Sequence, residues 1–106
     1  MIEGVYQNVD FPTSSERVKI KNLYIANEPC FVVASASQVY YNAPAKTIEL
    51  KAGSNIYISG GVDGFASVAG VFFLEKGEAI ELYASSENAG PGLFNHIEYR
   101  ILKFKV

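Results

Sequence analysis

Residues 71–84 set the pattern that the rest of the chain repeats. Val71, Phe72, Phe73 and Leu74 form an unbroken apolar run, Glu75-Lys76-Gly77-Glu78 a polar turn, and Ile80 and Leu82 then alternate with Glu81 and Tyr83. Unbroken apolarity predicts a strand buried on both faces, and alternation one that is half exposed. Gly77 offers the positive φ that a tight hairpin turn requires. Two paired strands cannot bury themselves alone, so the remaining chain has to supply a covering sheet.

The same period of two recurs on either side. Val18 and Ile20 share one phase, Leu23 and Ile25 the other, which makes Lys21-Asn22 a candidate β-bulge. Residues 30–36 are an apolar run that Gln38 to Tyr41 extend. Ile48 and Leu50 are expected inward, as are Ile56 and Ile58, with Lys51-Ala52-Gly53-Ser54 as the turn of a second hairpin. Phe65 to Leu74 is apolar with small residues, and Gly70 there permits close backbone or inter-sheet approach. In the last stretch Ile97, Tyr99 and Ile101 share one phase, and Leu102, Phe104 and Val106 the other. Lys103 and Lys105 are expected outward, with a second bulge at Ile101-Leu102. No segment carries a sustained 3.6-residue period. About eight short strands at regular spacing predict an all-β fold, an antiparallel β-sandwich or jelly roll.

Turn chemistry divides the chain. Asp10-Phe11-Pro12-Thr13-Ser14-Ser15 separates residues 1–16, an N-terminal arm or edge strand, from a single β-sandwich domain over residues 17–106. As an arm, the stretch would use Val5, Tyr6, Val9 and Phe11 to dock on a neighbouring subunit or a larger assembly. As an edge strand it would belong to the domain itself. Asn27-Glu28-Pro29, Asn42-Ala43-Pro44, Gly60 to Gly64 and Ser85 to Gly92 read as further breaks.

Composition narrows the class. With 106 residues, 49% hydrophobic and 19% charged, the chain is one globular domain with a modest core. Seven Tyr and seven Phe favour strands. No apolar stretch approaches the roughly 18 residues of a membrane span, and Met1-Ile2-Glu3-Gly4 has neither the basic nor the apolar region of a secretory signal. A net charge of −2 argues against a nucleic-acid surface. Cys30, the single cysteine, lies beside Phe31, Val32 and Val33 and reads as an inert buried thiol. A fold without internal disulfides suits a protein assembled inside a cell.

Candidate chemistry is sparse. His96 is the single histidine, so a histidine-based metal site would need carboxylates for every other ligand. Neither a Gly-x-Ser-x-Gly elbow nor a phosphate-cradling Gly-x-x-x-x-Gly-Lys loop occurs. Glu75, Glu78, Glu81 and Glu87 cluster in sequence, but the first two flank a turn and Glu81 lies on an exposed phase, so solvated faces account for them. Asp63 lacks the dense acidic spacing of a calcium loop. No metal or cofactor is implied. Tyr40, Tyr41, Tyr57, Tyr83 and Tyr99 fall on or beside strands. Such side chains pack sheet faces, and where exposed they suit carbohydrate stacking or a subunit interface; Tyr57, Tyr83 and Tyr99 are the interface candidates.

The stretch Leu74-Glu75-Lys76-Gly77-Glu78-Ala79-Ile80-Glu81-Leu82 resembles a signature of the jelly-roll heads of the tumour necrosis factor and complement type. Leu50 to Ser59 is similar to that family's glycine-then-tyrosine strand. The closing Phe-x-Gly-aliphatic strand of the family is replaced here by Ile97 to Phe104. Compact heads of this kind occur on tailed bacteriophages as decoration proteins or fibre tips. The resemblance implies a homotrimer packed through an aromatic and aliphatic sheet face, and it implies no enzymatic activity.

The resulting expectation is a non-enzymatic phage capsid decoration (cement) protein. It would assemble in the host cytoplasm and sit on the virion surface, with the major capsid protein or another virion protein as partner. The alternative is a receptor- or carbohydrate-binding module that meets a cell-surface glycan through the 60–64 and 85–92 loops, with Asp63 and Asn88 as ligand residues. A small β-sandwich hydrolase is a third class.

Overall fold

The computed structural model describes residues 2–12, 16–41, 45–60, 66–86 and 94–105. They form eight strands: β1 (Ile2–Pro12), β2 (Val18–Ile25), β3 (Cys30–Tyr41), β4 (Ala45–Ala52), β5 (Asn55–Gly60), β6 (Ser67–Leu74), β7 (Ala79–Ser86) and β8 (Phe94–Lys105). Two four-stranded antiparallel sheets result, ordered β1-β8-β3-β6 and β2-β7-β4-β5. The pairs β1/β8, β2/β7, β3/β6 and β4/β5 are all present. The chain is therefore one long hairpin, with its tip between β4 and β5, folded so that alternate rungs enter alternate sheets. That is the winding of a jelly roll, an all-β antiparallel sandwich.

Alternation builds the core. Val32, Ala34 and Ala36 of β3, Phe72 and Leu74 of β6, and Ile97, Tyr99 and Ile101 of β8 are buried from one sheet. Ile48, Leu50, Ile80, Leu82 and Ala84 meet them from the other. Cys30 is a free thiol buried in the same core. A β-carbon on Gly70 would stand 3.0 Å from Phe72 Cζ and 3.3 Å from Tyr57 Cδ2. Its absence admits the edge-to-face pair of Tyr57 and Phe72, whose ring centroids are 5.2 Å apart.

Several local expectations are corrected. The Glu75–Glu78 turn is not a hairpin, because β6 pairs with β3 while β7 pairs with β2 and β4. It carries the chain across the sandwich. Gly77 does have positive φ, +91°, and the turn is fastened to the neighbouring crossing. Gly77 N–H donates to Ala26 O at 2.8 Å, and Ala26 N–H to Glu78 O at 2.9 Å. Glu78 Oε1 accepts the Glu75 N–H at 2.7 Å. The β4–β5 hairpin is real, with Ala52 opposite Asn55 and Gly53 at φ +59°.

Phase was misread where both neighbours are apolar or where a lysine stem is buried. Ile56 is exposed, because it lies opposite Lys51, while Tyr57 lies opposite Leu50 on the inner phase. The side chain of Ile58 lies outside the described residues. β8 shows no register shift at Ile101-Leu102. Lys103 continues the inward phase at 6% exposure and reaches Glu28 at 3.6 Å, so its aliphatic stem fills the position and its charge leaves the core. β2 has shifts on both sides of the expected bulge, between Lys19 and Lys21 and between Asn22 and Tyr24.

Residues Ile2–Pro12 run as the outer strand of the first sheet, in register with β8 from Ile2↔Phe104 to Pro12↔Phe94. Val5, Tyr6, Val9 and Phe11 stand opposite Ile101, Arg100, Ile97 and Asn95; their side chains lie outside the described residues.

A φ of +91° costs an L-residue about 1–2 kcal/mol. Nothing lies within 4 Å of a β-carbon built on Gly77, so the strain is purely backbone. Gly77→Ala is expected to lower stability by about that amount, read as a fall in the urea midpoint at unchanged slope. Gly77→Asn should lose less, because Asn tolerates the left-handed region. An unchanged midpoint in Gly77→Ala would show that the corner does not need this conformation.

Candidate functional site: an apolar outer face

The two outer faces of the sandwich differ in chemistry. On the second sheet the face carries two ion pairs at its centre, with Ile25 and Ile56 exposed on its two outer strands. Arg17 Nη1 donates to Glu49 Oε2 at 2.9 Å and its guanidinium lies 5.5 Å over the Tyr83 ring. Lys19 Nζ meets Glu81 Oε1 at 2.9 Å, and the Tyr83 hydroxyl donates to the same oxygen at 3.2 Å. Thr47 and Ser85 share a hydrogen bond of 2.7 Å. Glu49 is buried although it faces outward, because it lies on an inner strand of the sheet opposite Tyr83 of β7, with Arg17 paired to its carboxylate.

On the first sheet the outer phase is apolar. Val71 is 62% exposed, Phe31 47% and Phe73 46%. The expectation that Val71–Leu74 is buried on both faces is therefore wrong: only Phe72 and Leu74 point inward. Register makes these residues one patch. Phe31 stands opposite Phe73 on one side and Phe104 on the other, and Val33 opposite Val71 and Leu102. Phe31 and Phe73 rings touch at a centroid distance of 5.1 Å. The patch runs across β6, β3 and β8 at the end of the sheet that carries the locked crossings. Further along, the face turns polar through Ser35, Ser37, Glu98 and Arg100. A contiguous exposed apolar area with a polar margin marks an interaction surface.

The candidate residues are scattered. Tyr99 is 2% exposed, with Lys21 Nζ 5.5 Å from its ring centroid; buried between the sheets, it has no area to offer a partner. Tyr83 belongs to the charge-paired face. Tyr57 is half exposed at the rim beside Phe72. Asp63 and Asn88, like Glu87, lie outside the described residues, as do the side chains of Tyr40 and Tyr41. His96 is partly buried, opposite Asp10 on β1 and Tyr40 on β3. Among the described residues no group of three His, Cys, Asp or Glu side chains gathers as metal ligands would, and no helix is long and apolar enough to cross a membrane. Sequence reasoning missed Phe31, Phe73 and Val71 as a surface. Their signal was present: both phases of residues 30–33 and 71–74 are apolar, which a half-exposed strand explains only if its outer face is covered by something else.

No protein-family model matches this chain, and no curated protein matches it. Among solved structures it is similar to FLHE, at 14% identity and a TM-score of 0.51, over 99% of this chain and 98% of that one. It is also similar to a chain from Bacillus endospore appendages, described as a family of disulfide-linked pili. That likeness has 13% identity and a TM-score of 0.47, over 99% and 89% of the two chains. The FLHE likeness is one of fold.

The charge-paired face yields a pH prediction. Glu81 is held below the ordinary carboxylate value, first by the hydrogen bond from Lys19, then by the Lys19 charge, Tyr83 and Lys51, against a desolvation cost. A depressed folded-state value stabilises the fold above the unfolded value, and that contribution disappears as pH falls through the folded one. Glu81→Gln should therefore destabilise at pH 7 by under about 1 kcal/mol, since the pair is partly solvated. The difference from the parent should shrink as pH falls and vanish once the carboxylate is protonated in both states. A difference that persists there would assign the effect to packing instead of charge.

Proposed function

We propose that this domain is a non-catalytic assembly protein that seats the apolar outer face of its first sheet on another protein. The observation that carries the reading is the contrast between the faces: on the second sheet Arg17 pairs with Glu49 and Lys19 with Glu81, while on the first Phe31, Val71 and Phe73 form one contiguous exposed patch. Burial of such side chains supplies the main driving force for association, roughly 25 cal/mol per Å² of apolar surface before the costs of docking. Charge-paired residues on the opposite face keep the complex soluble. In its specific form, carried by the resemblance of the Leu74–Leu82 stretch, the partner is the major capsid protein of a tailed phage and the domain decorates the shell. Repetition over a shell turns a modest contact into a large collective stabilisation, since a ligand of the assembled state alone favours that state.

Phe31 sits on an inner strand of the sheet, so a polar group there leaves the ladder intact. Phe31→Asp is expected to keep the circular dichroism and the unfolding cooperativity of the parent while weakening partner binding at least thirtyfold, about 2 kcal/mol. Lys19→Asp, on the other face, should bind as the parent does. The measurement is cosedimentation of purified protein with tailed-phage shells. Phe31→Asp pelleting as well as the parent would remove the apolar face from the interface. Failure of the parent to pellet would remove the shell as partner.

A further inference from the structure

The four strand edges of the sandwich are not alike. β1 carries Glu3, Asp10 and Pro12, and β2 carries Lys19, Lys21 and two register shifts. Charges, proline and bulges are the devices that keep an edge from pairing with another chain. β6, Ser-Val-Ala-Gly-Val-Phe-Phe-Leu, has none of them along its eight residues, and β5 beside it is also uncharged. β6 and β5 lie on the same side of the sandwich, joined by the Tyr57–Phe72 contact.

The direction of the free backbone groups follows from one bond. Gln38 N–H donates to Ala66 O at 2.9 Å. Bonded and non-bonded pairs alternate in an antiparallel ladder, so Val68, Gly70, Phe72 and Leu74 turn their backbone groups toward β3. Ser67, Ala69, Val71 and Phe73 turn theirs to the other side, where none of the described strands pairs with β6. These same four residues carry exposed side chains on the outer face.

We infer that a second copy of this chain pairs with this edge, β6 antiparallel to β6 about a two-fold axis at Gly70 or Val71. Charge compatibility selects the occupant. In a two-fold pair each residue meets its own strand again, so a charged edge such as β2 would set lysines near lysines; β6 about Gly70 meets only uncharged residues, and about Val71 the one charge it meets is Glu75, opposite Ser67 at the strand end. Either axis pairs odd residues with odd ones, Ala69 with Val71 or Ala69 with Phe73. The outward backbone groups and the outer-face side chains therefore match at once. The union joins two four-stranded sheets into one of eight and makes the two apolar faces continuous. This deepens the assembly reading, since it doubles the surface presented to the partner.

The test is sedimentation velocity of the full chain over a concentration series, with two edge variants. Ala69→Pro removes an edge-facing N–H at a position where proline leaves the β3 ladder whole. It deletes two symmetry-related bonds and should weaken self-association about a hundredfold. Val71→Lys places an ammonium on an already exposed site and should do the same, and it decides the matter if Ala69→Pro does not fold. The parent is expected to be a dimer, both variants monomers of unchanged circular dichroism, and Phe31→Asp a dimer still. A parent that is monomeric at about 100 µM, trimeric or open-ended in length overturns the inference, as does a folded Val71→Lys that remains dimeric. A parent that is monomeric yet binds shells through Phe31 would sink the edge pairing alone. A Phe31→Asp dimer that still binds shells would sink only the face.

Discussion

Two backbone hydrogen bonds at Ala26 hold together everything that the sandwich needs to share. The chain leaves the second sheet after β2 and enters the first at β3, and it makes the reverse crossing between β6 and β7. Since β2 pairs with β7 and β3 with β6, the two crossings must run side by side. There the backbone belongs to neither ladder, and unpaired polar groups close to a core are costly. Ala26 gives its N–H to Glu78 and takes the Gly77 N–H, so each crossing satisfies the other. The bond pair also fixes register. A slip of one residue at this corner would turn Val32, Ala34, Phe72 and Leu74 outward together. The left-handed conformation of Gly77 is the local condition for that fit.

Given this frame, the two sheets have similar inner faces and unlike outer ones. Glu49 and Glu81 lie outside the second sheet with cations at 2.9 Å, and Arg17 adds a planar contact with Tyr83. The first sheet uses the equivalent outward positions at the locked end for Phe31, Val33, Val71, Phe73 and Leu102. A net charge of −2 spread over the chain hides this division. The fold does not require it, because either sheet would pack as well with polar outward residues. The core therefore gives no reason for the apolar face, and the proposed docking starts from that fact.

Strand positions and the all-β class were legible because alternation is a local property. Long-range choices were not. The turn at Glu75–Glu78 has the glycine chemistry of a hairpin, and only the pairing of β6 with β3 makes it a crossing. Residues 71–74 are apolar in both phases, so periodicity could not say that Val71 and Phe73 face out. Ile56 and Tyr57 posed the same ambiguity, settled by the register of Tyr57 with Leu50. Charged residues misled in the other sense. Lys103 and Glu49 look like outward, solvated positions, yet Lys103 buries its stem and Glu49 is covered within its own sheet. The shifts in β2 could be found because apolar residues flip phase there. The shift in β3 lies between Gln38 and Tyr40, where no such flip marks it.

The apolar face and the bare edge are geometrically independent. A sheet directs its edge hydrogen bonds within its own plane and its side chains along the normal. Pairing at β6 consumes the backbone groups of Ser67, Ala69, Val71 and Phe73 while leaving Phe31 and Phe104, one and two strands further in, uncovered. Docking on the face consumes the side chains and leaves the edge free. Two copies joined at the edge also present their faces on one side, in a fixed relation, so the second contact with a repetitive surface becomes intramolecular once the first is made. Under the proposed pairing and docking, an uncharged edge and an apolar patch that share one strand would be parts of a single arrangement: the edge would fix the spacing of two patches, and the patches would supply the energy of attachment.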